Sequence, residues 1–237
     1  MVSTIVHAGF ALLLAAGLLG DHYDRRALAV VLAIVVLPEV DSFLGPFMPG
    51  AHRTVGHNLV LPAAAAALLY YDTRLRERSA LRERLSDRVS DQGAARWIAV
   101  AWVGLFVHTV AHVSLDWVHL EGVNAFWPLR DRFYALSGEI FVSTADGFVQ
   151  TFVDVQIDPE TGGRRVDAGE GGTSRTVHVS NPVEPRDPGT VTDEPIDRRF
   201  PVANAGWRLY LIGLGLFALV ARRLQGADPD PAPDARN

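Results

Sequence analysis

Long apolar runs without Asp, Glu, Lys or Arg alternate along this chain with dense polar stretches, and that alternation restricts the fold more than any other feature. Trp97 to Leu115 is the clearest run, long enough to cross a hydrocarbon layer, which takes about 20 residues. Met1 to Gly20 holds only His7 as an ionisable group. It matches a signal peptide in length but lacks a basic start and a clear small-residue cleavage site, so it reads as a retained helix. Ala27 to Leu37, Gly56 to Tyr71 and Leu209 to Ala221 are shorter runs. Buried helices of a soluble all-α protein have similar composition. Two observations favour the membrane: the runs are apolar around the whole helix rather than along one stripe, and the arginines sort by side.

The sorting follows the order of the runs. Arg25 and Arg26 lie between the first and second. Arg74, Arg76, Arg78, Arg82, Arg84, Arg88 and Arg96 lie between the third and fourth, and Arg222 and Arg223 follow the fifth. A bundle of about five apolar helices places all three groups in the cytoplasm. Arg208, at the start of the fifth helix, sits on the wrong side. The expected fold class is an all-α membrane helical bundle with a polar, partly β or irregular extracytoplasmic excursion. Residues 1–135 form the membrane-embedded core, 136–206 the insertion, 207–223 a C-terminal transmembrane helix and 224–237 a disordered tail. Ile140 to Ile157 has the alternation of short strands. The Gly- and Pro-rich stretches from Glu160, Gly169 and Glu184 read as loop.

The same topology gathers ionisable residues at the opposite, outer face. His7 lies near the outer end of the first helix, and Glu39 and Asp41 close the second. His52 and His57 precede the third, and His112, Asp116 and His119 end the fourth. His108, His112, Asp116 and His119 are spaced by four, four and three residues, which stacks them on one helix face. Ionisable groups inside membrane segments usually face the bundle interior or a water-filled cavity. Each group has a plainer reading when taken singly. His7 alone suits an interhelical hydrogen bond, Glu39 and Asp41 a solvated helix end, His52 and Arg53 an interfacial anchor, and His108 packing. His22 and His178 read as solvated. With no cysteine in the chain, a metal must use His, Asp, Glu or backbone oxygen, which suits zinc, manganese, magnesium or iron. A net charge of -5 argues against nucleic acid as a partner.

At these residues the chain resembles the inner-membrane-associated, metal-dependent hydrolases also described as LexA-binding. That family's pattern is an N-terminal histidine, Leu-Pro-Asp-x-Asp, His-Arg-Gly-x-Thr-His-Ser, and His-x-x-x-Asp followed by a Gly and a Pro. Here the series is His7, then Leu37-Pro38-Glu39-Val40-Asp41, then His52-Arg53-Thr54-Val55-Gly56-His57-Asn58. His112-Val113-Ser114-Leu115-Asp116 follows, with Gly122 and Pro128. The likeness covers roughly the first 135 residues. Glu39 departs from the pattern's Asp, Thr54 from Gly, Gly56 from Thr and Asn58 from Ser; His119 stands where Thr is common.

The residues and the resemblance together lead to an expectation. The chain is a multi-pass membrane protein with a metal-dependent hydrolase site on the outer face. His7, Asp41, His57, His112 and Asp116 are the expected ligands of one or two divalent ions, zinc foremost. Glu39 is the candidate general base or orienter, and His52 and Arg53 the groups that stabilise an anionic transition state. Membrane lipids surround it, and its position suits a lipid, a lipid-linked ester or another small molecule as substrate. Two other readings use the same residues: a metal or proton carrier, and a scaffold whose outer excursion binds a partner.

Overall fold

The computed structural model describes residues 3–44, 50–119, 121–157, 164–167, 169–177 and 202–225. Helix α1 (Thr4–Leu18) starts at Ser3, whose hydroxyl accepts from the Val6 amide at 3.4 Å. Helix α2 (Arg25–Val36) starts at Asp24, which accepts from Ala27 at 2.7 Å. Such caps satisfy amides that have no partner within the helix. Past Val36 the chain tightens into a 3-10 segment, Leu37–Leu44, that carries Glu39 and Asp41. Helix α3 (Val60–Tyr70) holds Pro62 in its first turn, where a missing amide costs no hydrogen bond. Helix α4 (Ala80–Ser86) is a surface turn among the arginines. Helix α5 (Asp91–His108) runs through a π turn, Thr109–Val113, into α6 (Ser114–Trp117). Helix α7 (Gly206–Gln225) closes the described chain.

Helix α1 packs against both α2 and α7, and α2 also packs on α5. The core between them is built from small and β-branched residues: Ala11, Ala15, Ala27, Val31, Val35, Val100, Val107 and Ala111, with Leu19. Small side chains let helix backbones approach closely, the usual device for helix association in a bilayer. The approach is closest between α1 and α7. A Cβ at Gly215 would lie 2.0 Å from the Gly9 carbonyl oxygen, and one at Gly9 would lie 2.7 Å from the Ile212 Cα.

The bundle has two distinct ends. At one, Arg222 of α7 donates to the Ala16 carbonyl of α1 (2.8 Å), and Arg96 of α5 pairs with Asp24 (2.5 Å). At the other, Ser3 donates to the Val202 carbonyl, and Val6 and Leu115 pack with Leu211 and Ile212. The arginine loops and the histidines therefore sit at opposite ends.

Two expectations change. Among the described residues only two helices are long and apolar enough to cross a membrane: the 20 residues Arg25–Leu44 and the 27 residues Asp91–Trp117. Helix α1 has 15 residues, and α3 has 11 because the helix begins only at Val60 and passes into a π turn at Tyr71. Helix α7 carries Arg208 near one end and Arg222 and Arg223 at the other. The second change concerns the insertion. Strands β1 (Ile140–Ser143) and β2 (Gly147–Gln150) form one antiparallel pair, and β3 (Asp154–Ile157) and β4 (Arg164–Asp167) another. Residues 169–177, expected as loose loop, instead strap the core. Ala135 donates to the Gly169 carbonyl (3.0 Å), Gly171 donates to the Phe133 carbonyl (2.8 Å), Phe133 donates to the Gly172 carbonyl (2.9 Å), and Gly50 donates to the Ser174 carbonyl (2.8 Å). Residues 184–190, the tail beyond Gln225 and His178 lie outside the described residues.

Candidate metal centre

Four buried side chains from three parts of the chain meet in one place. His7 comes from α1, His57 from the turn before α3, His112 from the π turn and Asp116 from α6. The three Nε2 atoms lie 3.5, 3.5 and 3.9 Å from a single oxygen, Asp116 Oδ2. None of these nitrogens has a hydrogen-bond partner, although all three rings are fully buried. The His7 and His112 rings stack with centroids 4.1 Å apart, and those of His57 and His112 are 4.5 Å apart.

For His7 and His57 the outer nitrogen explains why the inner one faces inward, whereas both ring nitrogens of His112 lack a partner. His57 Nδ1 donates to Asp41 Oδ2 (2.9 Å), and His7 Nδ1 donates to the Ala111 carbonyl (2.8 Å). A neutral imidazole with its proton on Nδ1 presents a lone pair on Nε2. Metal-binding histidines are generally oriented in this way, by a carboxylate or a backbone carbonyl behind the ring. The spacing also fits. Bonds of about 2.0–2.2 Å to a tetrahedral ion separate the ligand atoms by about 3.3–3.6 Å; the three distances to Asp116 Oδ2 are close to that range, and the ligand atoms of His7, His112 and Asp116 all lie within 4.8 Å of one another. The carboxylates of Asp41 and Asp116 flank His57 on its two sides. Carboxylates that favour a proton there also favour a cation.

Asp41, expected as a ligand, stands one step back. Its Oδ2 accepts from His57 and from the Gly56 amide (3.0 Å), and its Oδ1 accepts from His52 Nδ1 (3.0 Å). The Gly56 contact requires glycine: a Cβ there would lie 2.7 Å from Pro38 Cα. The departure from the family's Thr therefore lets this turn press against the 3-10 segment. Asn58, in place of Ser, donates to the carbonyls of Thr54 (2.9 Å) and Val55 (2.7 Å) and accepts from Leu61 (2.9 Å), which ties the turn to α3.

Arg53 also takes a different role. It is fully buried, and its guanidinium is occupied by Asp116 Oδ1 (3.1 Å), the Gly122 carbonyl (3.3 Å), His119 Nδ1 (3.3 Å) and Glu121 (3.4 Å). It holds the far oxygen of Asp116 and so aims Oδ2 at the histidines. Its backbone is left-handed, φ +65°. Such a conformation costs a non-glycine residue about 1–2 kcal/mol and persists where surrounding contacts over-determine it. His119 leaves the expected helical stack because the helix ends at Trp117, and it faces Arg53 instead. Burial, and then the Arg53 charge, lower its pKa to about 4, so it is a neutral acceptor. His108 remains beside His112 with ring centroids 5.9 Å apart. Glu39, His52 and His57 form a second group whose ligand atoms lie within 4.8 Å of one another.

The sequence reading missed the supports. Asn124 donates to the Arg53 carbonyl (2.9 Å) and to Asp131 (2.6 Å), and Asp131 accepts from the Ser174 amide (2.9 Å) and hydroxyl (2.8 Å). Desolvation pushes the Asp131 pKa up, but those hydrogen bonds outweigh it and leave it lowered. The polar Asn124 and Asp131 were visible in sequence, but nothing there marked the long-range partner Ser174.

The family model for the YdjM inner membrane protein matches residues 1–167, more than half the chain. The chain belongs to that family. No curated protein matches the chain, and no solved structure does. The match takes in every member of the cluster in this YdjM-family protein and ends before α7.

Proposed function

We propose that this YdjM-family protein is a membrane-bound, metal-dependent hydrolase that holds a divalent ion, zinc foremost, between His7, His57, His112 and Asp116. The observation that carries the reading is the meeting of three unpartnered Nε2 atoms on one carboxylate oxygen. A divalent ion held by these four side chains would supply a Lewis-acidic centre and, by taking a water as a further ligand, a nucleophile whose pKa is lowered to about 7. The chain's own groups do the rest. Arg53 fixes Asp116, and Asp41 fixes His57. Glu39, less buried than His52 and His57 beside it, is the candidate to take a proton from the attacking water. His52, whose Nδ1 donates to Asp41, keeps a buried, unpartnered Nε2 that becomes a donor to a developing oxyanion once it has taken up a proton. Beneath the cluster the core is apolar, from Ala11 and Val31 to Val100, which favours chemistry in place over a transport path.

The reading places several spans in the membrane with the cluster outward, because the arginine-rich end belongs in the cytoplasm. Metal analysis of purified wild type and of Asp116→Asn tests the centre: a stoichiometric divalent ion in the first and its loss in the second are expected, and an ion in neither rejects it. A screen of ester and phosphodiester substrates tests the reaction. Orientation is read with single cysteines, since the chain has none. Ser143→Cys should react with an impermeant maleimide in intact cells and Ser79→Cys should not.

A further inference from the structure

Beside the cluster lies a cavity of about 490 Å³ between the 3-10 segment, α3 and α5. Its walls are hydrocarbon, including Ile34, Phe43, Leu61, Ala65 and Leu105. Among the described residues only two ionisable ones line it, Asp41 and His108, and both adjoin the histidines of the centre. The volume falls within the range of about 300–1,000 Å³ usual for ligand pockets. A water-soluble substrate gains little from such a wall, whereas a hydrocarbon chain gains with every methylene it buries.

The mouth shows where the chain comes from. Leu37, Val40 and Phe43 on its rim are 67%, 57% and 65% exposed. They belong to Arg25–Leu44, one of the two helices able to cross a membrane, and Leu105 belongs to the other. On the reading that these two helices cross the inner membrane, the rim faces lipid and the cavity opens sideways into it.

We propose that this cavity seats one hydrocarbon chain of a membrane lipid and presents that lipid's ester or phosphoester to His57 and Asp116. The cavity supports the seating of the chain by itself; the presentation of the head rests on the hydrolase reading. The probe is a phosphatidylcholine with a diazirine at the end of one acyl chain, mixed into phosphatidylcholine vesicles that hold the full-length, metal-loaded protein. Adducts mapped by mass spectrometry should fall on Ile34, Ala65 and Leu105. Ala65 faces outward from α3 and contributes nothing to the ligand set. Ala65→Phe should lower those adducts about tenfold, the effect of losing roughly two buried methylenes, with metal content unchanged. Adducts confined to outer faces such as Leu209 and Phe217, or adducts that ignore Ala65→Phe, overturn the proposal. Hydrolysis separates the two claims. In wild type, cleavage should rise up to roughly fourfold per added methylene, and the slope should flatten in Ala65→Phe. Cavity adducts without cleavage of any ester keep the chain seat and reject the hydrolase. Cleavage indifferent to chain length rejects the cavity as part of the substrate site.

Discussion

The two ends of the bundle hold charge in opposite ways. At the arginine end, Arg76–Asp72 and Arg82–Asp91 are ion pairs at the surface, open to water. Pairs of that kind contribute about 0–1 kcal/mol. At the histidine end, His7, His57, His112 and Arg53 are fully buried and Asp116 nearly so. Buried charges are costly unless paired or bound to a metal. One end tolerates rearrangement and serves orientation. The other allows few arrangements, which is the condition for fixed geometry around an ion.

Substitutions sharpen that contrast. Asp116→Ala should have the largest effect, because it removes the shared ligand atom and leaves Arg53 buried without its carboxylate. A loss of about 3–5 kcal/mol is expected for a broken buried pair, read by thermal unfolding alongside metal content. Asp41→Asn should weaken metal binding about 10–100-fold, as changes behind a ligating histidine do, with a smaller loss of stability; a titration with zinc measures it. If Asp41→Asn binds as tightly as wild type, Asp41 does not orient His57.

Asp131→Asn should lose about 1–2 kcal/mol, since hydrogen bonds to a charged acceptor are among the stronger ones. The sign with pH follows from the lowered pKa. The contribution of the carboxylate is present above its unfolded pKa and disappears as pH falls through the folded value. Wild type and variant should therefore differ at neutral pH and converge in acid. Smallest of all, Arg76→Ala with Arg82→Ala should change stability by less than about 1 kcal/mol in total. A larger loss would mean that the two ends are not so different.

Much of the centre was legible because its residues are chemically conspicuous. Histidines and carboxylates in apolar surroundings stand out, and arginine sorting alone brought them to one end. The division of labour was not legible. Asp41 and Asp116 look alike in sequence, and only the packing of Gly56 on Pro38 shows that Asp41 lies behind His57. The π turn was equally hidden. It frees backbone carbonyls that hydroxyls then occupy: Ser114 donates to Thr109 (2.8 Å), and Thr109 donates to Leu105 (2.9 Å). Serine and threonine in a helix do not announce this by spacing. The number of spanning helices was over-read, because an apolar run gives the length of the run, not that of the helix. Gly56 to Tyr71 yields a helix only from Val60.

The strap at residues 169–177 bears on how the protein is made. The loop of His52 and Arg53 is tied to Ser174 by the Gly50 amide, and α1 gains its partner α7 only at Gly206. A ribosome must therefore deliver most of the chain before the first histidine it made has its full support. Until then α1 waits with the face around Gly9 uncovered. The packing of the first helix is thus completed only by the last, and a transcript cut short before α7 yields a protein with all its ligands and an unsupported first helix.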